Sequence, residues 1–138
     1  MDFKQFLKGL QAIVGEQNVV YHSDDLLVFE YDGSVDRGMP DAVVFPSSAR
    51  EVSQIIKLSR RAGVPVVGRG TGTGLSGGAI TAPGGIQVAF PRMNHILEVD
   101  TENRLALVEP GVINLDLDTH VRKFGLRYAP DPSSQKAC

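Results

Sequence analysis

Cysteine is almost absent from this 138-residue chain, whose single thiol belongs to Cys138. One cysteine excludes a disulfide framework, and it excludes a zinc or iron–sulfur site built from several thiolates of this chain. No apolar run approaches the ~18 residues that a membrane-spanning helix requires. A strong excess of basic residues is also missing, because the net charge is −2. We therefore expect neither a membrane span nor a surface that binds nucleic acid.

The N-terminus lacks the uninterrupted apolar core of a secretory signal peptide, since Asp2, Lys4 and Lys8 are spaced through it. We therefore expect a cytoplasmic chain. Its length suits one domain, and we predict an N-terminal helical segment and connector over residues 1–36, followed by the main domain over residues 37–138. The three histidines follow no spacing typical of metal ligands or of a catalytic triad, so the sequence predicts no metal site and no catalytic residue in this chain.

Carboxylates are missing from residues 52–97, which hold five cations and no acid. Eight of the 15 glycines also lie in this stretch, between Gly68 and Gly85. Within it, Arg69 is the only charged residue between Lys57–Arg61 and Arg92. Glycine loses more conformational entropy on folding than any other residue, so a dense cluster indicates a geometric requirement. A glycine-rich segment with one cation and no acid favours an anionic ligand.

The first 41 residues predict one helix and a connection. Apolar residues recur at helical spacing over residues 2–14, and Gly15 follows as a stop signal. Residues 24–41 are acidic and interrupted by glycine and proline, so we interpret them as a connecting loop.

A strand–helix–strand unit follows. The apolar residues 42–45 predict a strand, and Ser48 with Glu51 forms a capping-box pattern that begins a helix. Gly63 ends this helix, and residues 64–67 predict the next strand. Two strands joined by a helix in so short a span are expected to be parallel.

The second half of the chain predicts a third strand over residues 86–90 and an antiparallel hairpin formed by residues 96–99 and 104–108 around a polar turn. Asn114 is positioned to cap a helix that runs to Phe124. The fold class that these elements predict is mixed α/β (α+β): an N-terminal helix, a small parallel βαβ unit with a glycine-rich loop, then a hairpin and a helix.

The glycine-rich segment 68–79 begins directly after a predicted strand. Its alternate glycines let successive N–H groups face one side, which suits phosphate oxygens, and a plain network of turns is the alternative. Gly72 to Gly77 match the GxGxxG dinucleotide pattern, but Pro83 prevents the helix that must follow. A P-loop is excluded because Gly78 stands where that motif needs lysine.

Four stretches occur in a fixed order: PDAVVFP at 40–46, GRGTGTGLSGGA at 68–79, VEPGV at 108–112 and YAPDPSSQ at 128–135. In this combination the chain resembles the FAD-binding domain of the vanillyl-alcohol oxidase and p-cresol methylhydroxylase superfamily. Within that superfamily it most resembles the FAD-linked D subunit of glycolate oxidase and the D-lactate and D-2-hydroxyacid dehydrogenases. The resemblance implies a partial p-cresol methylhydroxylase-like FAD-binding domain.

The resemblance also implies a set of cofactor-binding residues. In that family the matching glycine-rich loop wraps the FAD pyrophosphate with backbone N–H groups, and the two proline-containing segments lie along the flavin and its ribityl chain. Thr73 occupies the position at which some relatives tether FAD through a histidine, so we expect non-covalent FAD. The implied residues are Pro46, Gly68, Arg69, Gly70, Thr71, Gly72, Thr73, Gly74, Leu75, Ser76, Gly77, Gly78, Pro110, Gly111, Val112, Pro130, Asp131, Pro132, Ser133 and Ser134.

For the whole enzyme, the resemblance implies an FAD-dependent dehydrogenase or oxidase subunit that oxidises a small 2-hydroxy acid, glycolate or D-lactate. Family members continue with a second glycine-rich flavin segment, a cap domain and a C-terminal region that supplies the catalytic groups. We therefore expect this chain to be an N-terminal fragment, inactive by itself. An iron–sulfur partner subunit and a location peripheral to the inner membrane are further expectations, and an unpaired sheet edge favours self-association.

Two alternatives belong to other classes of function. A non-catalytic FAD- or anion-binding module predicts a folded chain that holds flavin weakly or not at all. The flavin domain of another oxidoreductase on the same fold, such as a nucleotide-sugar reductase, predicts flavin binding with a different substrate.

Overall fold

The structure, a computed structural model, describes residues 2–138. In this range lie four α-helices: Phe3–Val14 (α1), Ser23–Leu26 (α2), Ala49–Ala62 (α3) and Asn114–Arg122 (α4). The same residues form six strands: Val19–Val20 (β1), Ala42–Val44 (β2), Val66–Arg69 (β3), Ile86–Ala89 (β4), Ile96–Asp100 (β5) and Leu105–Val108 (β6). Short 3₁₀ turns cover Glu16–Asn18 and Leu27–Phe29.

The larger sheet has the strand order β1-β2-β4-β3. Strands β2 and β3 are parallel, as the strand–helix–strand pattern predicts, but β4 lies between them and pairs in parallel with both. Strand β1 pairs antiparallel with β2. The glycine-rich residues 70–85 are therefore the crossover between the adjacent parallel strands β3 and β4, a connection that a helix makes in most proteins.

The two faces of the sheet are covered by different elements, because successive side chains of a strand point to opposite sides. Helices α1 and α3 cover one face and build the main core. Its most buried members are Phe6, Leu10, Ala42, Val44, Ile55, Ile86 and Val88. The opposite face carries Val43, Gln87 and Ala89 and packs against Leu26, Phe29 and Phe45.

Helix α3 begins and ends at the residues that its sequence pattern predicts. The Ser48 hydroxyl accepts a hydrogen bond from the Glu51 N–H at 3.3 Å. The Glu51 carboxylate accepts one from the Ser47 N–H at 2.7 Å, one residue before the position of the standard capping box. At the other end, Gly63 has φ +70° and its N–H bonds to the Arg60 carbonyl. A left-handed glycine of this kind is the usual helix stop.

The predicted hairpin is confirmed as the antiparallel pair β5–β6, whose turn is held by the N–H of Asn103 donating to the Asp100 carboxylate at 2.9 Å. Helix α4 lies beside it with Leu117 and Val121 buried. Between hairpin and helix is an apolar groove of about 560 Å³. No helix in the described part of the chain is long and apolar enough to cross a membrane.

Several strand ends differ from the sequence predictions by one residue, and three regions differ by more. Residues 24–41 are not a plain loop, because α2, a 3₁₀ turn and an isolated bridge between Tyr31 and Arg37 lie in or overlap them. Strand β3 covers 66–69 instead of 64–67, since the Val64 N–H still bonds to the Ser59 carbonyl at the end of α3. The strand therefore begins after Pro65, which has no N–H to donate.

Helix α4 is also shorter than predicted and is capped differently. Asn114 is its first helical residue, and Ile113 occupies the cap position without a side-chain bond. Two of the free N–H groups at this end donate to carbonyls of residues 135–138: Leu115 donates to the Gln135 carbonyl at 3.0 Å and Asn114 to that of Cys138. The division of the chain at residue 36 stays a prediction.

Candidate functional site

A cleft of about 390 Å³ lies at the carboxyl ends of the parallel strands β2, β3 and β4. In open α/β sheets this edge is the usual place for a ligand, because the connections that leave it diverge. The residues that follow each strand line the cleft: Phe45 after β2, Gly70 and Thr71 after β3, and Phe90 after β4. The turn Pro110–Gly111–Val112, which joins the hairpin to α4, also lines the cleft.

The cleft walls are mainly apolar and aromatic. The rings of Phe29 and Phe45 meet edge to face with 6.1 Å between their centroids, and Phe90 also lines the cleft. Small-molecule and cofactor sites commonly combine such apolar walls with a few placed polar groups.

Arg69 supplies the buried positive charge of this cleft. Arg69 is only 6% exposed. Its Nη1 donates to the Tyr31 carbonyl at 2.9 Å, and its Cζ lies 5.6 Å from the centroid of the Phe29 ring. Burial lowers the pKa of Arg69, while the nearby Asp32 carboxylate opposes that shift. An arginine remains protonated in proteins, so the cleft holds a permanent cation.

Three glycines of the glycine-rich segment face open space. A Cβ built on Gly70, Gly74 or Gly78 meets no other atom within 4 Å, and none of the three has a positive φ. Elsewhere in residues 2–138, every glycine either has a positive φ or has a neighbour within 4 Å of that Cβ. Neither backbone conformation nor internal packing therefore explains these three glycines. Glycine at such positions lets the backbone lie directly against a bound group.

Gly111 has a different, internal reason to be glycine. A Cβ there would lie 2.8 Å from the Met93 carbonyl oxygen, to which the Gly111 N–H donates at 2.8 Å. This close approach holds the Pro110–Val112 turn on the cleft. Glu109 fixes the turn from the other side, since its carboxylate accepts the His95 N–H at 2.9 Å and contacts the His95 ring nitrogen at 2.7 Å. Both hydrogen bonds lower the pKa of Glu109, and the bond from the His95 backbone N–H has the larger effect.

The structure brings together two of the segments that the resemblance to flavoproteins implies. Arg69, Gly70 and Thr71 share the cleft with the turn 110–112. Pro46 is fully buried directly after the cleft residue Phe45, and Gly68 lies inside β3. Residues 72–78 continue from Thr71 as a series of bends, of which residues 73–76 are exposed.

The segment Pro130–Ser134 lies outside this cleft. Pro130 and Asp131 line a separate polar depression of about 160 Å³ beside Asn114 and Gln135. Ala137 and Cys138 reach the main cleft instead. A cofactor role for residues 130–134 stays a prediction.

Sequence reasoning missed the aromatic wall. Phe45 and Phe90 directly follow strands β2 and β4, so the rule that ligands lie at the carboxyl ends of parallel strands was a signal that could have found them. Phe29 and Asn94 carried no such signal, because only the folded chain brings them to the cleft. Within residues 2–138, no three His, Cys, Asp or Glu side chains are grouped so as to hold a metal ion.

The sequence of residues 40–138 matches the family described as the FAD binding domain. The chain belongs to that family. FAD, expected from the sequence, is confirmed as the cofactor of the family.

Two curated relatives are named glycolate oxidase subunit GlcD. That of Bacillus subtilis is 42% identical over 134 residues, which are 96% of this chain and 28% of the relative. That of Escherichia coli K12 is 39% identical over 139 aligned residues, which cover 100% of this chain and 28% of the relative. A D-lactate dehydrogenase of Anaerostipes hadrus is 32% identical over 98% of this chain and 27% of its own. The chain thus spans under a third of these relatives.

Solved structures show the same fold. Alkyldihydroxyacetonephosphate synthase superposes with a TM-score of 0.86 over 99% of this chain and 28% of that chain, at 20% identity. p-Cresol methylhydroxylase with substrate bound superposes with a TM-score of 0.78 over 90% of this chain and 25% of that chain, at 24% identity. The predicted p-cresol methylhydroxylase-like fold is thereby confirmed.

Proposed function

We propose that this chain is the FAD-binding portion of a flavin-dependent oxidoreductase that oxidises a small 2-hydroxy acid, glycolate or D-lactate. Gly70, Gly74 and Gly78, where a Cβ would enter open space and the backbone has no positive φ, carry the proposal. The names of the relatives, glycolate oxidase subunit and D-lactate dehydrogenase, support the reaction class.

The residues present suit a dinucleotide with a negative diphosphate and flat rings. Backbone N–H groups of residues 68–78 would receive the diphosphate, and the Arg69 guanidinium contacts this segment at Gly72. The turn 110–112 and the rings of Phe45 and Phe90 would enclose the rest of the bound portion. We extend the proposal to Pro46 and residues 130–134, on the family resemblance alone. Thr73 offers no nucleophile of the kind that tethers flavin, so binding is non-covalent.

FAD, when bound, supplies the two-electron redox chemistry, and this chain's part is to hold and orient it. Cap and catalytic groups for the 2-hydroxy acid would come from the rest of a longer enzyme, so the chain alone is expected to be inactive. The relatives named as subunits support a partner subunit, which we propose carries iron–sulfur clusters. Electron transfer toward a membrane quinone would suit a cytoplasmic enzyme peripheral to the inner membrane.

The test is the visible spectrum of the purified chain after incubation with FAD and desalting. We expect retained flavin absorbance in the wild type. Gly74→Val and Gly78→Val should reduce retention at least tenfold, because a Cβ at either position meets no atom within 4 Å outside its chain neighbours and the added side chain enters the space left for the ligand.

Ala106→Val on the exposed hairpin strand β6 is the matched control, since it adds bulk away from the cleft and should retain FAD like the wild type. A folded wild type that stays colourless but binds pyrophosphate would favour the anion-binding module instead.

A further inference from the structure

We call residues 29–38 the strut. They lie against one side of the glycine-rich segment. The main-chain carbonyls of Phe29 and Ala79 both accept hydrogen bonds from Gln87 Nε2, at 2.8 and 3.0 Å. Asp32 accepts the Ala79 N–H at 3.4 Å. A Cβ on Gly33 would lie 2.8 Å from the Gly74 carbonyl oxygen, so the two backbones touch there. The strut therefore packs along the segment while leaving the open side of Gly70, Gly74 and Gly78 free.

Arg69 lies at the junction of the two. Its Nη1 donates to the strut carbonyl of Tyr31, and its guanidinium covers the ring of Phe29. On its other side is Gly72, whose φ is +79° and whose built Cβ would lie 2.7 Å from the Arg69 Cζ. The backbone of Gly72 thus rests directly on the guanidinium. Strut carbonyl, aromatic ring and glycine backbone occupy three sides of this cation.

We propose that Arg69 is a positioning residue that joins the strut to the glycine-rich segment, and that it acts on the diphosphate of the cofactor through the backbone of that segment. This inference rests on the proposed function for its ligand and deepens it. The alternative is that the Arg69 guanidinium contacts the phosphate directly and acts through its charge.

Charge and shape separate the two roles. Lysine keeps the positive charge, but it lacks the planar fork that donates to a carbonyl while stacking on a ring. A positioning role therefore predicts that Arg69→Lys is as damaging as Arg69→Met. A phosphate ligand predicts that Arg69→Lys retains most of the affinity, and that only Arg69→Met weakens the salt dependence of FAD binding.

The experiment compares wild type, Arg69→Lys, Arg69→Met and the control Arg92→Met. Arg92 lies in the same acid-free stretch and also donates from Nη1 to a main-chain carbonyl, that of Phe45 at 2.8 Å, but it is exposed. Amide hydrogen exchange is measured over residues 30–38 and 70–79 without ligand. Dissociation constants for FAD and ADP are measured at two salt concentrations.

We expect both Arg69 variants to exchange faster in both segments and to bind FAD roughly tenfold or more weakly, with the salt dependence of the wild type. Arg92→Met should match the wild type in exchange. Wild-type exchange and affinity in Arg69→Lys would overturn the proposal, and so would a loss of salt dependence confined to Arg69→Met.

Failure of the wild type to bind FAD or ADP would refute the proposed function. The exchange data would then still decide whether Arg69 holds the two segments together. If circular dichroism shows that Arg69→Met is unfolded, Phe29→Leu replaces it, because it removes the ring under the guanidinium and keeps an apolar side chain. Exchange in residues 70–79 should rise in that variant too, and unchanged exchange would count against the proposal.

Discussion

Gln87 is a fully buried amide in the central strand β4. Its Nε2 lies within 2.8 to 3.0 Å of three acceptors, the carbonyls of Phe29 and Ala79 and the hydroxyl of Thr81. Its Oε1 has no hydrogen-bond partner among residues 2–138. One side chain therefore donates to half-buried carbonyls of both the strut and the glycine-rich segment.

We predict that Gln87→Leu lowers the free energy of unfolding by about 2–3 kcal/mol, because the similar volume is kept while two half-buried carbonyls and the buried Thr81 hydroxyl lose their donor. Urea denaturation measures the change. Gln54→Leu, on the exposed side of α3, should alter stability by less than about 0.5 kcal/mol. Equal stabilities for the two variants would show that water replaces the Gln87 amide without loss.

Helix α3 is stabilised at its N-terminus by the cap residue Ser48, whose hydroxyl accepts the Glu51 N–H. Ser48→Ala should destabilise the chain by about 1 kcal/mol, the usual value for a lost N-cap. Ser53→Ala, one turn into the same helix at an exposed position, should be neutral or slightly stabilising. The two midpoints in urea are compared, and a Ser48→Ala midpoint equal to that of Ser53→Ala would contradict the prediction.

The same helix shows why some elements could be predicted from the sequence. Ser48, Glu51 and Gly63 act through local bonds, so their pattern alone locates α3. The hairpin β5–β6 is local in the same sense. Strand β1 was missed because its two residues pair only with the distant β2. The order of the larger sheet was missed for a similar reason, since nothing in the βαβ pattern indicates that β4 enters between its strands.

The candidate site divides along the same line. The glycine-rich segment and the turn 110–112 carry local signatures in the sequence, and the cleft is lined by the turn and by Arg69, Gly70 and Thr71 at the start of the segment. The contribution of residues 29–38 was not predictable, because an acidic segment broken by glycine has the composition of an ordinary connection. Only its contacts with Arg69 and Gln87 show that it supports the site.

At the scale of the whole molecule, the hairpin leaves an apolar surface open to solvent. Leu97, Leu105 and Leu107 are 57%, 64% and 59% exposed. Exposed apolar strands at a sheet edge favour pairing with another chain. This surface supports the expectation that the chain self-associates.

We predict that size-exclusion chromatography with light scattering gives the purified chain a molar mass above the 14.9 kDa of the monomer. The double substitution Leu105→Lys and Leu107→Lys should return it to the monomer, because charged residues block edge pairing. Val35→Lys, at a 97% exposed position away from the hairpin, should leave the mass unchanged. A monomeric wild type would contradict the prediction.

The place of β4 between β2 and β3 has a consequence for how the chain folds. Because β2 and β3 do not pair with each other, the strand–helix–strand unit has no parallel ladder until residues 86–89 have left the ribosome. The connection that must close before this ladder forms is the glycine-rich segment itself. Its closure costs conformational entropy, and non-local pairing of this kind slows folding. We therefore expect the sheet to be completed only once the glycine-rich segment has closed.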